Sequence, residues 1–226
     1  MRELQRAIEV SPDLAVSSIW CVPDDYSSEC ALVLAHGAGN DMHGEFLSYL
    51  HTTLAERGVL TVKFNFPYAE RGASAPDRPG LLQATWSAVA AAVREDAELG
   101  PRRLVIGGKS MGGRIASMIA AEGEPCAGLV LLGYPLHPAG QPTKLRVNHL
   151  ARLTVPMLFV QGTHDPLCEM TLLEDALATI TAPVTLHLIE GGDHSFTVKP
   201  KRIGRDASAI REEIAGVIEQ WLARLD

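Results

Sequence analysis

Residues 104–119, LVIGGKSMGGRIASMI, carry an apolar strand-like run into a helical segment through Gly108, Lys109, Ser110, Met111 and Gly112. A serine between two glycines at such a junction fits a nucleophile on a sharp strand-to-helix turn. Strain lifts its hydroxyl above the sheet, and a side chain at either glycine would meet a neighbouring strand or helix. A serine hydroxyl attacks only when a base takes its proton, so this chemistry demands a histidine and an orienting acid further along, each at the carboxyl end of a strand. Residues 155–163 form an apolar run that ends at His164-Asp165-Pro166, and residues 185–190 form another that leads into Gly191-Gly192-Asp193-His194-Ser195-Phe196. Asp165 is the candidate acid and His194 the candidate base: Asp165 would accept a hydrogen bond from one imidazole nitrogen and leave the other facing Ser110. Acyl transfer also needs donors for a developing oxyanion. Residues 32–40, LVLAHGAGN, place a loop after an earlier apolar run. There the backbone N–H of Ala38 would face that of Met111, with Gly37 and Gly39 allowing close backbone approach and His36 bracing the loop through a hydrogen bond.

Each assignment has a competitor. Gly108-Lys109-Ser110 imitates the end of a phosphate-binding loop, but that motif needs a glycine five residues earlier, where Arg103 stands, and a roomy loop where Leu104-Val105-Ile106 read as strand. Asp165 before proline could instead initiate a turn and cap a following helix. Asp193 is a rival acid, although the neighbour of His194 would struggle to reach round to its ring. His137, His149 and His164 lie in loops and lack the Gly-Gly-x-His context. Lys199-Pro-Lys-Arg-Ile-Gly-Arg205 holds four cations that could guide an anion but read more simply as a solvated loop. Arg71 and Arg78 could grip a carboxylate, though surface arginines seldom do so. Cys168 reads as a small buried hydrophobe.

These residues need a scaffold that puts several strand ends on one edge. Short apolar runs at 31–35, 60–66, 103–107, 128–133, 156–162 and 184–189 alternate with segments of helical period, the pattern of a parallel sheet with helices on both faces. Six central strands are expected, with an antiparallel edge strand over 17–22. In the last helix Ile210, Ile214, Val217, Ile218, Trp221, Leu222 and Leu225 form one apolar stripe, while residues 87–93 and 111–121 form helices rich in small side chains. The long irregular segments are 67–80 and 137–154. Both follow strands, where an open α/β sheet binds its ligands, and neither is long enough for a large lid.

Composition agrees. The 226 residues are 46% hydrophobic, enough to bury a sizeable core, and the whole length is expected to form one α/β domain, 1–226. Twenty basic against 27 acidic residues give a net charge of −7, which argues against nucleic acid as a partner. No segment approaches the roughly 18 apolar residues of a membrane span, and the start MRELQRAIEV lacks the apolar stretch of a secretory signal; the expected location is cytoplasmic. Cys21, Cys30, Cys126 and Cys168 are widely separated and imply neither disulfide framework nor metal site, and no cofactor is called for.

Together Gly107-Gly-Lys-Ser-Met-Gly-Gly-Arg114, Phe64-Asn-Phe-Pro-Tyr68, His36-Gly-Ala-Gly39 and Gly192-Asp-His-Ser-Phe196 resemble the α/β-hydrolase fold from about Ala31 onward. Within it they resemble the testis-expressed protein 30-like hydrolases and, more loosely, dienelactone-hydrolase-type proteins. The resemblance implies a fold with a minimal lid or none and a triad in the chain order Ser110, Asp165, His194. The expected function is hydrolysis of a small carboxylic ester or thioester through an acyl-enzyme, with a small acyl substrate as partner. The alternative is a non-catalytic scaffold, because the resembled family includes a subunit of a histone-acetylating complex.

Overall fold

A computed structural model describes residues 1–198 and 206–225. The strands are β1 (Arg2–Ser11), β2 (Leu14–Val22), β3 (Cys30–Ala35), β4 (Leu60–Phe64), β5 (Arg103–Lys109), β6 (Gly128–Leu132), β7 (Met157–Gly162) and β8 (Val184–Ile189). The helices are α1 (Glu45–Glu56), α2 (Pro67–Glu70), α3 (Pro79–Arg94), α4 (Met111–Ala121), α5 (Met170–Leu177) and α6 (Ala207–Leu222). The strands make one sheet in the order β1-β2-β4-β3-β5-β6-β7-β8. Among the described residues β2 alone runs against the others, pairing antiparallel with both β1 and β4.

The central strands are continuously apolar because both faces are covered. Ala31, Val33 and Ala35 of β3 join Ile106 and Leu131 in the core under α3, α4 and α5. Leu32 and Leu34 point the other way, joining Val105, Val130 and Leu158 against α1 and α6. Helix α6 starts where the Asp206 carboxylate accepts from the Ala209 N–H at 2.7 Å. It is tied to α1 by Arg57, which bridges Glu212 and Glu219, and by Arg211 with Glu45.

Three expectations are corrected. Residues 17–22 lie within the longer β2, which is second in the sheet; the edge is β1. β1 alternates, with Glu3, Gln5, Ala7 and Glu9 exposed and Ile8 in the core, a half-buried pattern that a search for continuous apolar runs passes over. β8 is the opposite edge and only partly buried, with Leu188 39% exposed. Its apolar run looks central, but Thr185 and His187 occupy the positions that meet water and Glu213 of α6. Segment 67–80 is less irregular than expected, since Pro67 and Pro79 each open a helix at a position where the missing N–H costs nothing. Segment 137–154 carries only a 3-10 turn, Leu150–Arg152. Among the described residues no helix is long and apolar enough to cross a membrane, and all four cysteines are free thiols.

Candidate active site

β5 turns into α4 at Ser110, whose φ of 53° and ψ of −116° lie where a non-glycine residue is strained. The neighbouring backbone forces that turn. A Cβ on Gly108, which has φ 145°, would stand 2.2 Å from Ala35 O, and one on Gly112 would stand 2.5 Å from the same oxygen. The start of α4 therefore lies directly against the end of β3. Trp86 of α3 fixes it from the other side, its Nε1 donating to Gly112 O at 3.0 Å.

His194 and Asp165 come to Ser110 from the ends of β8 and β7. His194 Nε2 lies 2.8 Å from Ser110 Oγ, and His194 Nδ1 lies 2.7 Å from Asp165 Oδ2. Because an ionised carboxylate only accepts, Nδ1 donates to Asp165 and Nε2 is left to accept from the serine hydroxyl. The Asp165 side chain is 0% exposed. Burial opposes its charge, but hydrogen bonds from His194, from the Leu167 N–H at 2.8 Å and from Gln161 Nε2 at 2.7 Å hold its carboxyl below the usual range. α5 begins only after Glu169, so Asp165 caps no helix; its turn-forming bond to Leu167 coexists with the bond to His194.

The rival acid Asp193 is occupied otherwise. Its Oδ1 accepts from the Ser195 and Thr197 N–H groups at 2.8 and 2.9 Å, which shapes the turn that carries His194. That turn is pressed against the end of β7, where a Cβ on Gly162 would be 2.3 Å from Gly192 O.

The loop after β3 runs beside the serine, and a Cβ on Gly37 would come 3.5 Å from Ser110 Cβ. Ala38 is exposed, and among the described residues its N–H has no backbone acceptor. The Met111 N–H is one of the unsatisfied donors at the start of α4. His36 is buried, and burial holds it below the usual histidine range, neutral. Its Nε2 accepts from the Phe66 N–H at 3.1 Å and its Nδ1 donates to Gly37 O at 2.9 Å, while the Tyr68 hydroxyl donates to the same carbonyl at 3.1 Å. Asn65 Oδ1 takes the Met42 N–H at 2.8 Å. The Phe64–Tyr68 segment thus braces the loop, a function the spacing of residues alone did not disclose.

A sequence profile described as "Alpha/beta hydrolase domain" matches residues 28–223. The chain belongs to this α/β-hydrolase family. Solved structures agree on the fold. A dienelactone hydrolase from Anabaena variabilis superposes with TM-score 0.78 at 19% identity, covering 99% of this chain and 98% of that one. An α/β serine hydrolase without a lid from Xanthomonas campestris gives 0.72 at 21%, covering 98% and 95%. The ferulic-acid-bound Est1E from Butyrivibrio proteoclasticus gives 0.75 at 14%, covering 97% and 100%.

In this α/β-hydrolase chain the remaining candidates have structural occupations. β5 runs straight through Leu104–Ile106 with no cradle for a phosphate, so the phosphate-loop alternative falls. His137 Nε2 accepts from the Glu169 N–H, and His149, held down to about 4 by burial, meets Ser117 Oγ at 2.8 Å. His164 is exposed beside the acid. Burial pushes the Cys168 thiol up to about 12, so it is no thiolate. Arg71 pairs with Asp77, and Arg78 precedes α3 on the surface. The cationic run 199–205 lies outside the described residues. Among the described residues no three His, Cys, Asp or Glu side chains could share a metal ion. Gln161, which steadies Asp165, was missed because it sits inside an apolar strand with no motif around it.

Proposed function

We propose that the protein is a serine hydrolase that cleaves small carboxylic esters or thioesters through an acyl-enzyme, acting as one domain, 1–226, in the cytoplasm. The observation that carries this reading is the continuous chain from Ser110 Oγ through His194 to the buried Asp165, with links of 2.8 and 2.7 Å. Ser110 Oγ attacks the substrate carbonyl carbon while His194 Nε2 takes its proton, and Asp165 stabilises the imidazolium. The carbonyl oxygen becomes an oxyanion and accepts from the Ala38 and Met111 N–H groups. Collapse expels the alcohol or thiol, which takes the proton back from His194. Water then repeats the sequence on the acyl-serine, releasing the acid. These steps call for no metal or organic cofactor. The motifs shared with the testis-expressed protein 30-like hydrolases support placing the chain near that group.

A fluorophosphonate tests the nucleophile. The folded protein forms a covalent adduct at Ser110, located by mass spectrometry, and Ser110→Ala forms none; an unmodified native protein, or equal labelling of the alanine variant, overturns the assignment.

Substrate size follows from the cover over the site. Segment 137–154 adds only a 3-10 turn as cover, and the hollow of about 250 Å³ at residues 39–41 and 72–74 is lined partly by Asn40, Asp41 and Ser74. A long acyl chain gains about 0.8 kcal/mol per buried methylene only where apolar wall is available. Across nitrophenyl esters from acetate to palmitate, below micelle-forming concentrations, kcat/KM therefore levels off by octanoate. A continued rise would mean an apolar channel along 67–80.

A further inference from the structure

Lys109 has no part in the steps above, yet it adjoins the proposed nucleophile. The alternation of β5 turns it to the α1 and α6 side of the sheet, with Val105, whereas Ile106 faces α3 and α4. Its stem reaches the surface, but its Nζ is buried and has no hydrogen-bond partner among the described residues. The ammonium lies 5.2 Å from the centroid of the Phe196 ring, within cation–π range. Gly133 leaves room for it: a Cβ there would stand 2.7 Å from Lys109 Nζ and 3.2 Å from His194 O. The charge thus occupies a hollow under the turn that presents His194. Phe196 holds that turn at a φ of 62°, unusual for a bulky residue, and its ring packs against Phe46 with centroids 5.4 Å apart and planes tilted by 43°.

We propose that Lys109 is a positioning residue: its buried ammonium, facing the Phe196 ring in the field of the Asp165 and Asp193 carboxylates, braces the 193–196 turn that presents His194 to Ser110. The inference rests on the serine-hydrolase reading.

The energetics separate this function from simple packing. Burial lowers the lysine to about 8, against the charges of Asp165 from the β7 end and Asp193 from the β8 end, both of which favour the ammonium. His194 shares the Asp193 turn, while Phe46 and Phe196 contribute only apolar surface. A lysine lowered in the folded state binds its proton more weakly there than in the unfolded chain. Its charge therefore costs stability at neutral pH, and the cost shrinks as pH rises from about 8 toward the ordinary lysine range. An apolar side chain of similar length would fill the hollow without that cost. A buried charge retained beside a reacting pair acts on the site at the expense of the fold. Above about pH 8 the ammonium loses its proton, and the brace goes with it.

Lys109→Met and Lys109→Arg test this with three readouts: melting temperature, kcat/KM for a short nitrophenyl ester from pH 6 to 10, and amide hydrogen exchange over 193–198. Lys109→Met raises Tm by about 5 °C, lowers kcat/KM at pH 7 about tenfold, the scale of a slightly misplaced base, abolishes the decline near pH 8 and speeds exchange in the turn. Lys109→Arg stays charged and also lacks the decline. The decline persisting in either variant, or a methionine variant with wild-type profile and exchange, overturns the proposal; should the methionine variant not fold, the arginine profile decides alone. A wild-type protein that neither hydrolyses esters nor takes up fluorophosphonate defeats the hydrolase reading instead, and exchange with Tm then judges the brace by itself.

Discussion

Ser110→Ala lowers kcat/KM for a nitrophenyl acetate by at least about 10⁴-fold, His194→Ala falls to nearly the same floor, and the double variant is scarcely worse than either. The non-additivity follows from the geometry. The 2.8 Å bond between Ser110 Oγ and His194 Nε2 is useful only when both groups are present: without the base the hydroxyl keeps its proton, and without the hydroxyl the base has nothing to deprotonate. The residual rate is what the Ala38 and Met111 N–H groups and substrate binding sustain together. Far-ultraviolet circular dichroism of each variant checks that the fold is intact, and initial rates under identical conditions give the comparison. Losses that multiply would mean that the two residues serve different steps. Substantial activity in His194→Ala would transfer the base to another imidazole, such as His164, which is exposed and next to Asp165 in the chain.

That Ser110, Asp165 and His194 would meet at one edge of the sheet was legible in the sequence because each follows an apolar run that reads as a strand, and parallel strands deliver their ends to one edge. The same reasoning found the loop after β3. It could not find residues whose work is done by shape. Gln161 looks like an interruption in an apolar strand, and only the fold shows its amide on the Asp165 carboxylate. Asn65 and Tyr68 brace the loop after β3 from the end of β4, a contact between segments about 30 residues apart with no periodicity to announce it. In the sequence Lys109 reads as a turn residue beside Ser110 and as part of a phosphate-loop mimic; its burial depends on Gly133 and Phe196, from two other strand ends. At the sheet edges the error had a single cause. Apolar continuity marks burial on two faces, so β1, buried on one, was overlooked, and β8, apolar but marginal, was placed too deep.

Asp165→Asn lowers kcat by about 10⁴-fold while leaving the fold intact, because the amide cannot satisfy the three donors that meet this carboxylate. Oδ1 accepts from the Leu167 N–H, and Oδ2 accepts from both Gln161 Nε2 and His194 Nδ1. An asparagine has one oxygen and one NH₂. If the oxygen takes the Leu167 side, the NH₂ faces His194 Nδ1, which must then accept, and also meets Gln161 Nε2, whose bond is lost; the ring proton moves to Nε2 and points at Ser110 Oγ, where a base is required. If the oxygen takes the His194 side, the NH₂ meets the Leu167 N–H head-on, and the turn that holds the side chain must open. The first arrangement keeps the buried bonds of the turn and is the one expected. Hence the loss falls on kcat, with KM little changed, and fluorophosphonate labelling of Ser110 slows in parallel because it needs the same activated hydroxyl. The imidazole proton resonances report the tautomer directly: the low-field Nδ1 proton of the wild type disappears in the variant. An Asp165→Asn protein that keeps more than about a tenth of wild-type kcat, well above the loss argued here, would show that His194 holds its tautomer without the carboxylate. Asp165 would then be a turn former alone.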